Sequence, residues 1–328
     1  MPHSAKIIAD SITQWGERLI SLEVKLPRVV LAEFNTHRVF SRNSASSRAI
    51  PVEKMLRMVE EDPYIPTHWG QNQKGMQADV ELDEAHQTWA VDEWMRNRDA
   101  AINGAGELLR LGVHKQITNR LLEPFMWHTV VVTATEWSNW THLRDNKMAH
   151  PEIQALAVCI SEAISESTPK SLRDGEWHLP FVSEEEMNVK KDIDLWKKVS
   201  SGRCARVSYL THDGVRDPQA DVDLHDRLLT AGHMSPFEHV ARPMAPIERE
   251  CTKRFNVFFE DGTVLNQVTL PTREFCESYG LAIPRTWEDW TGAKIKRVQE
   301  THFCGNFDGF IQYRKEIPFE WDIMGEKS

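Results

Sequence analysis

The chain has 328 residues and carries 49 Asp+Glu against 39 Lys+Arg, a formal charge of −10. Hydrophobic residues make up 41%, charged residues 27%, and Gly and Pro number 16 each, which excludes disordered, fibrous and small disulfide-framed chains. The acidic balance argues against a surface that coats nucleic acid or anionic membrane. The five cysteines, Cys159, Cys204, Cys251, Cys276 and Cys304, are scattered and free of CxxC spacing, so reduced thiols are expected rather than a disulfide frame or a zinc knuckle. The N-terminus lacks an apolar signal core, and no stretch approaches the roughly 18 to 20 apolar residues of a membrane span. A soluble, cytoplasmic protein is the expectation.

Ile20, Leu22, Val24 and Leu26 alternate with Ser21, Glu23 and Lys25, the period of two of a strand with one buried face. Pro27 stops it, and good helix formers predict a helix from about Arg28 to Arg38 that ends in a polar loop. On such a helix Glu33 and His37, four apart, share a face. Between Glu81 and Leu111, Ala90, Trp94, Ala101, Ala105 and Leu108 recur at helical spacings before Gly112, predicting a long amphipathic helix. Pro151 opens another, PEIQALAVCISEAISES. Val182 to Ser201 is the strongest charge cluster and reads as a solvated helical connector. It separates a half at 1–181 from a half at 202–328, the two forming one functional unit. Asp221 to Ala231 predicts a short helix with Gly232 past its end, and Asp261-Gly262 marks a hairpin between two β-rich runs.

Three polar constellations stand out. THRVFSRNSASSR, Thr36 to Arg48, gathers three arginines, one histidine and four serines. Guanidinium groups, hydroxyls and loop amides are the donors that cradle a phosphate, although read alone the stretch also passes as a solvated turn. GHMSPFEH, Gly232 to His239, follows the short helix, with ARVSY, Ala205 to Tyr209, upstream of it. Its two histidines fit no ligand spacing for zinc, so no metal is expected. ATEWSNWTHLR, Ala134 to Arg144, reads as a core helix carrying Trp137 and Trp140. Cys204 adjoins Arg203 and Arg206 but reads as structural. Phosphate-loop, GxSxG and GxGxxG signatures are absent.

Together these stretches resemble the flavin-dependent thymidylate synthases. That family carries Arg-His-Arg, then Ser, Asn-Glu and Ser-x-Arg at fixed spacing, and the chain keeps His37, Arg38, Ser41, Asn43, Ser46 and Arg48 in register. NWTHLR with AHPEI, and ARVSY with GHMSPFEHV, resemble two further family segments. In the usual family the ARVS and PFEH segments come first. Here they follow, so the resemblance implies a circularly permuted chain, covered over about 19–167 and 205–241. The remainder, with the hairpin and GNFDGFIQYRK, resembles an enlarged variant of the kind found in bacteriophages and actinobacteria.

The resemblance implies an α+β fold, a mixed or antiparallel sheet flanked by long helices, and a homotetramer with shared active sites. It further implies FAD as cofactor, with NADPH and 5,10-methylenetetrahydrofolate as co-substrates, for methylation of dUMP at C5 to dTMP without a protein nucleophile. By position, Arg144 and His233 are catalytic, Arg144 as the cation beside the pyrimidine. Glu33, Thr36, Ser44, Ser46, Ser47, Arg48 and Arg120 would meet the nucleotide. His37, Arg38, Ser41, Asn43, Thr133, Thr135, Asn139, Ser208, Ser235 and Glu238 would meet the flavin.

The chain departs from the family where Thr36 replaces Arg, Ser44 replaces Glu, and Thr133-Ala134-Thr135 replaces Asn-Ala-Arg. Arg314 or Gln312 are candidates to replace those lost contacts. Glu33 replaces Gln, and a carboxylate accepts from an amino group but repels a carbonyl. Two alternatives follow: the same chemistry on dCMP, or a degenerate homologue that only binds nucleotide.

Overall fold

The structure, a computed structural model, describes residues 3–211, 216–246, 248, 254–261, 264–268, 294–301 and 305–317. Gly262, Cys251, Cys276 and Cys304 lie outside the described residues. The chain divides into two compact units, one of residues 1–8, 20–168 and 203–217 and one of 9–19, 169–202 and 218–328. Among the described residues no helix is long and apolar enough to cross a membrane.

The first unit is built on strands β1 (Ser4–Thr13), β2 (Arg18–Pro27), β3 (Ser41–Ser44) and β4 (Trp127–Ala134), in the order β3-β4-β2-β1. The period-two pattern of β2 explains its pairing. Ile20, Leu22 and Val24 stand opposite Ala134, Val132 and Val130 of antiparallel β4. These six side chains and Leu26 share one buried cluster with Trp137, Trp140, Ile153, Leu156, Ala157 and Ile160. The tryptophans belong to helix α5 (Ser138–Arg144) and its approach, and the aliphatic residues to α6 (Pro151–Glu166). The helix opened by Pro151 is therefore where its sequence puts it.

The helix expected from Arg28 to Arg38 is shorter. A 3-10 turn (Arg28–Val30) leads to α1 (Leu31–Phe34), which ends at Asn35. Asn35 and Thr36 favour local side-chain bonding over helix continuation, and Thr36 Oγ1 donates to the Glu33 carbonyl at 2.6 Å. His37 lies beyond the helix end, so Glu33 and His37 do not share a helix face. The polar loop that follows is partly strand, because β3 pairs with β4 at the sheet edge.

A second cluster in this unit joins Ala45, Ile50, Met55, Val59, Ala105, Leu122, Phe125 and Met126. It draws on α2 (Val52–Glu61) and α3 (Glu84–Arg110). Helix α3 starts where Asp83 accepts from His86 N, and ends before Gly112, whose φ of +78° suits the helix exit. A short helix, α4 (Lys115–Thr118), follows it.

In the second unit, the far end of β1 pairs in parallel with β5 (Lys170–Leu172). The charged stretch expected to be a solvated connector forms α7 (Glu184–Val189) and most of α8 (Ile193–Arg206). Only α7 is solvated in the expected sense. On α8, Trp196, Val199, Ser200 and Ser201 are buried, and Trp196 packs with Leu179, Val199 and Val240. Lys197 and Lys198 are half-buried, Lys197 with its ammonium over the Trp177 and Tyr313 rings, so net charge conceals a core stripe.

Gly202 of α8 approaches α9 (Pro218–Thr230) so closely that a Cβ would meet the Asp221 carbonyl oxygen at 2.3 Å. Strand β6 (Ala241–Pro243) pairs with a late strand, Phe310–Gln312. The expected hairpin is present as antiparallel β7 (Arg254–Phe259) and β8 (Val264–Val268), with β9 (Ile295–Thr301) on the other side of β7.

Candidate active site

The site loop begins where α1 runs out. Arg42 Nη1 donates to the carbonyls of Phe34 (3.3 Å) and His37 (3.1 Å). With Thr36 on the Glu33 carbonyl, these donors occupy helix-end acceptors and turn the segment into a fixed bend. His37 sits inside the bend, 6% exposed, stacked on Phe40 and edge-on to Trp140. Arg144 ends α5 and reaches across to it: Nε donates to His37 Nε2 at 2.9 Å, and Nη2 to Thr36 Oγ1 at 3.3 Å. Burial, then the positive charges of Arg144 and Arg42, hold the imidazole below its ordinary value of 6.5. It is a neutral acceptor.

The rest of the loop runs along β4. Ser41 and Asn43 are buried in β3, and Thr133 faces Ser41 with its hydroxyl 2.5 Å from Ser21 Oγ. Asn43 Nδ2 donates to the Cys204 carbonyl at 2.7 Å and to Ser208 Oγ at 3.4 Å. Ser46 N donates to the Ser208 carbonyl at 3.0 Å. The ARVSY segment is thus tied to the serine loop although the two lie far apart in sequence.

Ser46-Ser47-Arg48 forms a turn in which the amides of Ala49 and Ile50 both point at the Ser46 carbonyl. Buried Asn119 braces it, Nδ2 donating to the carbonyls of Ser47 (2.7 Å) and Ile50 (3.0 Å), and Lys115 Nζ donates to the Ala49 carbonyl at 2.9 Å.

Exposure sorts the expected contacts. Thr36, Arg38, Arg48 and Asn139 are exposed, whereas Glu33, Ser44, Ser46, Thr135, Arg144 and Ser208 are half-buried. His37, Ser41, Asn43, Ser47 and Thr133 are buried. Among the described residues, neither Arg38 nor Arg48 has a hydrogen-bonding or ionic partner. Two uncompensated guanidinium groups on one ordered loop make an anion-seeking surface. Arg120 instead pairs with Glu123 at 2.7 Å. Among the described residues, Glu33 Oε2 is buried without a hydrogen-bond partner.

Residues 18–170 match the Thy1 family, thymidylate synthase complementing protein. The Thy1 segment contains the whole bend, the serine turn, Asn119, Thr133, Asn139 and Arg144. It stops short of ARVSY and GHMSPFEH. No curated protein matches the chain. Among solved structures, two crystal structures of the UMP/dUMP methylase PolB from Streptomyces cacaoi are similar. The one bound with 5-Br UMP is 16% identical, with a TM-score of 0.42, covering 50% of this chain and 89% of that one. The one bound with 5-Br dUMP is 15% identical, with a TM-score of 0.39, covering 50% and 90%.

Outside the Thy1 segment, the GHMSPFEH turn belongs to the second unit. Helix α9 ends at Thr230, and Gly232, at φ +74°, lets His233 N return to the Leu228 carbonyl. His233 and Ser235 are exposed, while Met234 between them and Pro236 and Phe237 beyond them are buried as anchors. Glu238 accepts from Arg314 Nη1. Gln312 is buried, with Nε2 donating to Asn306 Oδ1 at 2.9 Å. The two side chains considered as replacement flavin contacts are therefore committed to holding their own segment and the PFEH turn.

Sequence reasoning missed Arg42 and Asn119 as builders of the site. Arg42 reads as a third anion donor in the motif, but the structure turns it onto backbone carbonyls. Asn119 lies in an unremarkable NRLLEP stretch, where only its burial beneath the serine turn distinguishes it.

Proposed function

We propose that this protein is a flavin-dependent methylase acting at C5 of a pyrimidine deoxynucleoside monophosphate, with dUMP as substrate and dTMP as product. The observation that carries the reading is the loop from Thr36 to Arg48 inside the Thy1 segment: its backbone is pinned by Arg42 and Asn119, it carries the guanidinium groups of Arg38 and Arg48, which have no partner among the described residues, and its His37 and Thr36 anchor Arg144. Ser46, Ser47 and Arg48 suit a phosphate monoester. Arg144, half-buried and fixed at two of its nitrogens, suits the ring edge where negative charge develops as C5 becomes nucleophilic.

Exposed, charged Arg38 with Thr135 and Asn139 fits a diphosphate-bearing flavin nucleotide, and these residues would hold FAD. Reduced by NADPH, bound FAD would supply the hydride equivalent by which a one-carbon unit from methylenetetrahydrofolate becomes the methyl group on C5, with tetrahydrofolate released and the C5 proton lost. His233, Ser235 and Glu238 would meet the flavin and the folate, and four copies would share their sites. Among the described residues, a cysteine-independent route is supported by Cys204, fully buried with its thiol pushed far up by that burial, and by Cys159, also raised. Neither forms a ready thiolate.

The same chemistry on dCMP is the second reading, favoured by the buried, unpartnered Oε2 of Glu33. An equal mixture of dUMP and dCMP, incubated with the protein, FAD, NADPH and methylenetetrahydrofolate, separates the two by mass spectrometry. Carbon gained by dUMP supports the leading proposal, and carbon gained by dCMP alone supports the second. If neither nucleotide changes while the protein still binds them, it is a nucleotide-binding homologue without the activity.

A further inference from the structure

We propose that His37 is a positioning residue whose neutral imidazole locks Arg144 in the orientation the reaction uses. The inference rests on the reading of Arg144 as the cation beside the substrate. Arg144 donates Nε to His37 Nε2 at 2.9 Å and Nη2 to Thr36 Oγ1 at 3.3 Å. Among the described residues Nη1 has no partner, and no carboxylate pairs with the side chain. One edge of the guanidinium is therefore fixed by protein and the other is left for a ligand.

Arginine is always protonated, so His37 Nε2 must be the bare nitrogen and its proton must lie on Nδ1. The ring cannot swing away, because Phe40 stacks on one face, Trp140 meets it edge-on, and Arg42 pins the His37 carbonyl. The charged groups facing the imidazole are Arg144 from α5 and Arg42 from β3, both cations. Protonating His37 removes the acceptor and sets a third positive charge against them. Arg144 then loses its anchor.

The sign of the pH effect follows. The folded-state imidazole is held below 6.5, so the lock is complete above that value and is lost as pH falls through the lower, folded value.

Two substitutions separate positioning from packing. His37→Gln keeps an acceptor oxygen that does not titrate, whereas His37→Phe keeps ring packing and loses the acceptor. In the holoenzyme, His37→Gln should lose the acid limb of the kcat/KM profile whatever it costs in turnover. His37→Phe should lose about tenfold to a hundredfold more, the loss expected when a hydrogen bond to a charged group is removed.

A readout independent of turnover is the imidazole titration followed by NMR in the ligand-free protein, where Arg144→Gln should raise the His37 midpoint. Equal losses in both His37 variants with an unchanged acid limb, or a midpoint indifferent to Arg144→Gln, would overturn the inference. Near-parent turnover in Arg144→Gln would instead remove Arg144 from the chemistry, a failure of the functional reading that the NMR midpoint tells apart.

Discussion

Arg144 and Arg48 are chemically alike and should fail differently when replaced. Arg144→Ala removes the cation placed at the reacting ring, so kcat and kcat/KM should fall together, by about a hundredfold or more. Arg48→Ala removes a contact made equally in ground and transition states, so nucleotide KM should rise about tenfold with kcat little changed. Steady-state kinetics with nucleotide as the varied substrate distinguishes these patterns. Asn119→Ala acts one layer below. It leaves the buried carbonyls of Ser47 and Ile50 without their donor, an expected cost of about 1–3 kcal/mol, readable as a lower urea midpoint together with weaker nucleotide binding. The motif residues were legible because functional side chains in register are a pattern of types. Arg42 and Asn119 were not legible as supports, because a side chain that bonds to backbone leaves no periodicity and no partner type to search for.

Elements whose burial follows a simple period were readable, and those shaped by local competition were not. The β2 alternation, the Pro151 helix start and the Asp-Gly hairpin each rest on one strong local signal. The α1 end instead depends on Thr36 and Arg42 taking backbone acceptors, and the α8 core stripe is hidden among lysines and aspartates. The least legible piece is the segment from Gly305 to Ile317. Tyr313 N donates to the Val240 carbonyl at 2.7 Å, and Tyr313 OH lies 3.3 Å from His225 Nε2. Ile317 packs with Met234 and Phe237, and Arg314 pairs with Glu238. This segment clasps the PFEH turn from a position some seventy residues later in the chain. Arg314→Ala should loosen that turn, visible as faster backbone amide exchange around Phe237, and Arg314→Lys should restore part of the protection. Exchange unchanged in Arg314→Ala would mean that Tyr313 and Ile317 hold the turn without it.

Among the described residues, buried imidazoles held below their ordinary value contribute to the acid behaviour of the molecule, and besides His37 and His225 three are displaced furthest. His128 in the first unit and His178 and His239 in the second are each pushed down to about 3, chiefly by burial. Each prefers the neutral form in the fold, so stability is full above the unfolded value near 6.5 and is lost as pH falls from there toward 3. By pH 5 the loss is about 2 kcal/mol for each imidazole. Urea midpoints should therefore drop between pH 7 and pH 5, and a flat profile would show that the rings take up protons without opening the fold. Five crossings of the chain between the two units have a consequence for how the protein is made. A ribosome releases residues 9–19 early, yet the rest of their unit begins only at residue 169. The first unit, in turn, lacks its last piece until residue 217 has emerged. The first unit can close once residue 217 has emerged, whereas the second waits for the segment from 218 onward, so the early pieces of the second unit should remain sensitive to protease until synthesis is nearly finished. A stop codon anywhere before residue 203 should yield no stable fragment.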